Sequence, residues 1–530
     1  MVGTIRRMKC LPEKIAALVL AVAVVAGGPA RAQNLDQIGV TLLRVMTTNV
    51  DGSGIHVTQP EGNYDLGTNW EVNPGFISRP PGFLTYFSAD GSTTSFPNSL
   101  SSESTHADYV GIFFYGMSGG VATNVAHVDN FDADYFINNY VVSNLTALGD
   151  SVVNQSFSFG ALSVSDQQAV DSAYDDYTET NGTLFVSAAN NLGNNPTVCA
   201  PGTAYNCISV GAYANGTYNN SIGPTIDNGR CKPDITAPHL FTSFTTPQVA
   251  GAAAVLMQAA LRGDGGTDTN SAFDPRTIKA LLLNGAVKPA DWTNANSSPL
   301  DARYGAGVLN VFNSYEQLAG GKNNSGATNL IPTGAAHPPV AVTNTVTAGS
   351  GWNLQNLASS ATNDAVNHYF FNVTNGIVTA TLVWSRQPGK TNINDLDLFL
   401  FNAASSNLVA CSTSRVDNVE HLFVPKLAAG RYDLQVLKNG GTNVVSDAET
   451  YTLAWAFVAP ALSLVKSGTN VTLTWPVYPA GFRVEATTNL VSPGWNTNNF
   501  SAPVITNSRN RLILNATNAP QFFRLRQPDF

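Results

Sequence analysis

Lys232-Pro-Asp-Ile-Thr-Ala-Pro-His-Leu-Phe-Thr-Ser-Phe-Thr-Thr-Pro-Gln-Val-Ala-Gly-Ala-Ala-Ala-Val-Leu-Met257 changes character at its middle, from a polar, proline-flanked approach to an unbroken apolar run. Thr242, Ser243, Thr245 and Thr246 are helix-capping types, and the residues from Val249 to Met257 are apolar on every face, as a helix buried all round requires. The spacing predicts a buried helix that starts near Ser243. Pro247 is read as lying in its first turn, where a missing N–H leaves nothing unpaired. The Ser243 hydroxyl then sits at the positive end of the helix dipole, where free N–H groups favour a developing negative charge. An N-cap and a nucleophile fit that position alike, so the rest of the chain must decide between them.

The chain has 530 residues, enough for two to four domains. Only 12% are charged and 43% are hydrophobic, with abundant Gly, Asn, Ser and Thr, a composition of ordered exported proteins rather than disordered ones. The net charge of −9 carries no basic stripe, so binding to a phosphate backbone has no electrostatic basis. Arg6, Arg7 and Lys9, an apolar run from Ile15 to Ala26, and Ala30-Arg-Ala32 form a secretory signal over residues 1–32, cleaved near Ala32. No later run approaches the roughly 18 apolar residues of a membrane span. Export permits disulfides. Of Cys199, Cys207, Cys231 and Cys411, the first two flank an Ala-Pro-Gly-Thr turn and are the expected pair, with Cys231 a competitor.

Ile55-His-Val-Thr-Gln-Pro-Glu-Gly62 reads as a strand ending in an acid, where open α/β sheets collect functional groups. Asp51 and Asp65 are nearby acids. Ser101-Ser-Glu-Ser-Thr-His106 leads into an apolar stretch, as a cap leads into a buried helix. Gly120–Val128, Ser151–Phe157, Leu184–Gly193 and Cys207–Ala212 read as buried strands, with helices around 133–148, 167–177 and 276–284. Strands alternating with helices imply a mostly parallel sheet covered on both faces, over residues 33–320. Residues 321–340, rich in Gly, Asn, Ala and Pro, read as a linker. Val378–Trp384, Tyr432–Val436 and Tyr451–Phe457 alternate as antiparallel strands do, which predicts a sandwich or jelly roll over 341–458. Residues 459–530, with Val471–Trp475 and Gln521–Arg526, form a last small β domain.

Thr242-Ser-Phe-Thr-Thr-Pro-Gln-Val-Ala-Gly251 resembles the Gly-Thr-Ser-Met-Ala-Thr-Pro-His-Val-Ala-Gly signature of subtilisin-family serine endopeptidases, and Lys232–Pro238 is similar to the segment before it. The resemblance spans about residues 50–320 and implies a subtilisin-like α/β fold with Ser243 as nucleophile. Ser104-Thr-His-Ala-Asp-Tyr-Val-Gly111 is similar to the family's His-Gly-Thr-His-Val-Ala-Gly and implies His106 as general base. Val186–Gly193 resembles Ala-Ala-Gly-Asn-x-Gly and implies Asn191 as oxyanion donor, beside the backbone N–H of Ser243. The family's aspartate aligns best with Glu61, and Val153–Ser156 with its substrate-binding strand, Ser156 lining the S1 side. Phe241 and Asn190 stand where the family has glycines.

The sandwich resembles domains that follow secreted bacterial subtilisin-like catalytic domains, through Asn394-Asp-Leu-Asp-Leu398. Asp395 and Asp397 share a side of that strand and could hold a structural Ca²⁺, although the chemistry itself requires no cofactor. These readings together give an exported, monomeric serine endopeptidase acting on proteins or peptides. A different class stays open: a subtilisin-like fold without activity, serving as an extracellular binding or adhesion protein. Acid-active relatives that use serine, glutamate and aspartate and no histidine are a third reading, and His239 is a second histidine close to the serine.

Overall fold

The computed structural model describes residues 34–62, 69–97, 102–142, 146–341, 348–442, 444–491, 494–497, 500–515 and 520–526. The signal segment and Asp65 lie outside these residues. The first domain is built on seven strands, β1 (His56–Glu61), β2 (Leu84–Phe87), β3 (His127–Asp132), β4 (Val152–Gln155), β5 (Leu184–Ala188), β6 (Ile208–Ala214) and β7 (Ile235–Pro238). They run parallel in the order β7-β6-β5-β4-β1-β3-β2, and Thr217–Tyr218 and Thr93–Thr94 add short antiparallel pairings to β6 and β2. Residues Gly120–Val125, expected to begin a strand, are turns instead, and the strand starts at His127.

Five helices matter to the site and its support: α1 (Thr105–Phe114), α2 (Val164–Asn181), α3 (Thr242–Leu261), α4 (Pro275–Gly285) and α5 (Val311–Ala319). From Thr245 to Ala260 every residue of α3 is buried, against the sheet and α1. Its central Gly251 sits where a Cβ would come within 2.7 Å of Val121, so a small residue lets the loop after α1 pack closely.

The second domain is an antiparallel sandwich. One sheet runs Ala327–Pro332, Asn363–Val373, Gly430–Lys438, Leu396–Asn402, Leu408–Ser412, and the other runs Ser350–Ala358, Ala448–Val458, Gly376–Trp384, Val419–Leu427. Trp384, Trp455, Leu398 and Leu434 fill the space between them. Within the stretch read as a linker, Ala327–Pro332 forms an edge strand paired with Asn363–His368, its side chains alternating between half-buried and exposed. A small terminal module, with Leu473, Trp475, Val484 and Leu512 at its centre, completes the chain.

Sandwich and first domain share one core, since Trp352, Val383, Val419 and Ala454 join the cluster formed by α3 and α4. Polar groups stitch the seam. Asn284 at the end of α4 accepts bonds from Thr379 and Thr381, 2.9 Å each, and Arg386 pairs with the buried Asp175 of α2 at 2.8 Å. Asn418 donates to the Tyr205 carbonyl at 2.9 Å, and the Arg386 and Arg230 guanidinium groups both lie against the Tyr205 ring.

The expected disulfide is absent. Cys199, Cys207, Cys231 and Cys411 are all free thiols. Cys207 packs with Tyr174 and Phe185 under α2, whereas Cys199 faces the loop of Asn190, so the turn between them separates the two sulfurs rather than joining them.

Candidate active site

Glu61 is the last residue of β1 and is 1% exposed. The preceding Pro60 has no N–H to give, and it is tolerated because pairing of β1 with β4 ends at Thr58. Ser104 caps α1 by accepting the Ala107 N–H at 3.2 Å, which places His106 in the first turn facing the end of β1. His106 Nδ1 lies 2.9 Å from Glu61 Oε2, with the histidine side chain 11% exposed. A carboxylate accepts only, so Nδ1 carries the proton, and Nε2 is the basic nitrogen of the neutral ring. Asp51 is committed elsewhere, accepting from the Ser53 hydroxyl at 2.7 Å and from Asn124 at 3.2 Å.

Ser243 is the second residue of α3. Pro247 is the sixth residue of α3, not part of its first turn, so the missing N–H is the one that would have bonded the Ser243 carbonyl. Ser156, just past β4, fills the gap, its hydroxyl donating to that carbonyl at 2.8 Å. In return the Ser243 hydroxyl donates to the Ser156 carbonyl at 3.3 Å. The tip of α3 is thus tied to the end of a central strand by a reciprocal pair.

Asn191 follows β5, and its Oδ1 accepts from both the Thr242 N–H (2.8 Å) and the Thr242 hydroxyl (2.9 Å). This fixes the amide with its oxygen on Thr242, which leaves the NH₂ as the donor group. Asn190 before it has φ +83°, a left-handed conformation that asparagine tolerates better than most residues, which is why it can stand at a glycine position. Its side chain accepts from the Asn191 N–H at 2.9 Å.

Aromatic side chains join the two halves. The His106 and Phe244 ring centroids are 5.8 Å apart, and Phe244 also meets Tyr109, Phe113, Phe241 and His239. His239 takes the Phe241 N–H on Nδ1 at 3.2 Å, and burial lowers its pKa to about 4, a poor base at neutral pH. Asp108, in the same first turn of α1, is raised to about 8 by burial and by Glu103.

Sequence reading passed over Gln59. Its Nε2 donates to Glu61 Oε1 at 2.8 Å and to the Ala107 carbonyl at 3.0 Å, and its Oε1 accepts from the Tyr115 hydroxyl at 2.6 Å. The available signal was the two-residue spacing, which puts Gln59 and Glu61 on one face of β1.

Residues 119–307 match the model of the Subtilase family. The first domain is a subtilase domain. Ser156, Asn191 and Ser243 fall inside the matched residues, and Glu61 and His106 precede them. Among solved structures, the chain is similar to the prenylagaramide maturation protease PagA, with 21% identity, 54% of this chain and 99% of that one covered, and a TM-score of 0.35. It is also similar to fervidolysin from Fervidobacterium pennivorans, a keratinolytic enzyme related to subtilisin, with 14% identity, 84% and 73% covered, and a TM-score of 0.37.

In the sandwich, Asp397 accepts from Asn439 at 3.0 Å and is raised to about 7 by burial and by the charge of Asp395. The neighbouring Asp364 already accepts the Gly334 and Gly440 N–H groups. Among the described residues no group of three or more His, Cys, Asp or Glu is placed to hold a metal. Among the described residues no helix is long and apolar enough to cross a membrane.

Proposed function

We propose that the protein is an exported serine endopeptidase that cleaves peptide bonds through an acyl-enzyme on Ser243. The observation carrying this is the 2.9 Å bond from His106 Nδ1 to the buried Glu61. In this reading the Ser243 hydroxyl swings from the Ser156 carbonyl to His106 Nε2, loses its proton there and attacks the scissile carbonyl. Glu61 holds the tautomer and stabilises the imidazolium, which then protonates the leaving amine. Glutamate reaches one methylene further than aspartate, and the end of β1 sets its backbone to suit. Asn191 Nδ2 and the Ser243 N–H at the tip of α3 receive the oxyanion, and Ser156 lines the S1 side.

The substrates are proteins or peptides met outside the cell, where the Ala30-Arg-Ala32 signal would deliver a monomer. The test is labelling with a fluorophosphonate, wild type against Ser243→Ala, together with hydrolysis of an unstructured protein substrate. Ser243-dependent labelling and internal cleavage support the reading. A folded wild type that takes no label would instead be an extracellular binding protein on a subtilase scaffold. Activity retained in His106→Ala at low pH would replace the histidine with an acid-type mechanism.

A further inference from the structure

Glu61 presents two carboxylate oxygens, and only one faces the histidine. Oε1 is occupied by Gln59, whose amide is itself held at both ends: its NH₂ faces two acceptors, Glu61 Oε1 and the Ala107 carbonyl, and its oxygen faces the Tyr115 hydroxyl. A flipped amide would set oxygen against two oxygens, so the orientation is fixed by its surroundings. Gln59, Glu61 and Tyr115 are each 1% exposed or less, and Ala107, which receives the second Gln59 bond, is the residue next to His106. One amide therefore spans the acid and the backbone of the helix that carries the base.

We infer that Gln59, braced by Tyr115, is a positioning residue that sets the distance and orientation of Glu61 relative to His106. The inference rests on the proposed triad and adds its support. A glutamate side chain has one more rotatable bond than an aspartate, and burial alone does not fix its carboxylate plane. The Gln59 bond to Oε1 and the His106 bond to Oε2 define that plane from its two edges, while the Ala107 bond ties the same amide to α1. Removing the amide frees the carboxylate to rotate and leaves Oε1 buried without its donor.

The experiment compares wild type, Gln59→Leu, Gln59→Met and Tyr115→Phe. Rates are normalised to sites titrated with fluorophosphonate, so that loss of folded protein does not count. Gln59→Leu and Gln59→Met are expected to lower kcat about 10- to 100-fold with KM within about twofold, and Tyr115→Phe to lower it about threefold to tenfold. The second readout needs no turnover: the downfield proton resonance of His106 Nδ1, assigned by its loss in His106→Ala, should shift or broaden in both Gln59 variants. Unchanged kcat and an unchanged resonance in the folded variants would overturn the inference. Should wild type fail to label at Ser243, the peptidase reading falls, and the resonance alone decides whether Gln59 positions Glu61. Should one Gln59 variant not fold, the other and Tyr115→Phe carry the test.

Discussion

Two histidines in this protein make nearly the same bond. His106 Nδ1 lies 2.9 Å from Glu61, and His368 Nδ1 lies 2.8 Å from Asp433 in the sandwich. Each acid also accepts a 2.8 Å bond from a glutamine two residues away on its own strand, Gln59 in one case and Gln435 in the other. Beyond that the two differ. His368 lies in mid-strand, sealed, stacked alongside Phe370, and its glutamine is covered by His337. His106 lies in the first turn of α1, partly open, with Phe244 linking it to the tip of α3, the helix that carries Ser243. A histidine–carboxylate pair with its glutamine is thus a unit that either domain can use. In the proposed peptidase reading, what separates the two is the surroundings of the other imidazole nitrogen.

The comparison breaks first at the serine. Ser243→Ala should cut hydrolysis by about 10³-fold or more without altering the fold, checked by peptide turnover and circular dichroism. Asn191→Ala should lower kcat about 10²- to 10³-fold with little change in KM, because its amide acts on charge that appears only in the transition state. His368→Ala should behave oppositely. Turnover per titrated site stays within about twofold, while stability in denaturant falls by about 3–5 kcal/mol, since Asp433 is left buried without its partner.

His239 sharpens the contrast, being a histidine near the serine with no carboxylate. Its pKa is lowered, so the unfolded chain takes up this proton near 6.5 and the folded chain only near 4. Stability from this group is therefore complete above about pH 6.5 and lost as pH falls towards 4. Relative to His239→Phe, wild type should lose about 2 °C of Tm between pH 7 and pH 4.5, the smallest of these effects.

The candidate site residues could be picked out because they sit at element ends that carry local signals: a capping serine before His106, an acid closing a strand, polar residues before an apolar helix. Gln59 carried no such signal, since a glutamine inside a strand is ordinary until Tyr115, 56 residues away, is brought against it. Pro247 was placed in the wrong turn because the hydroxyls at positions 242–246 resemble caps, whereas the helix already includes them. The cysteines misled because proximity in sequence says nothing of the direction each side chain takes. The stretch 321–340 has a linker's composition and an edge strand's alternation, and composition alone hid the latter.

The seam between the domains also governs what a cut in the chain would do. Residues 320–326 join α5 to the first sandwich strand, and Asn323 and Trp352 already bond across this passage. A nick there removes the covalent tether and the local concentration it supplies, while Arg386 on Asp175 and the threonines on Asn284 remain in place. The two fragments would therefore travel as one particle through a sizing column. Insertions in the connector would be tolerated, whereas an exchange at Asn284 would be felt in both halves.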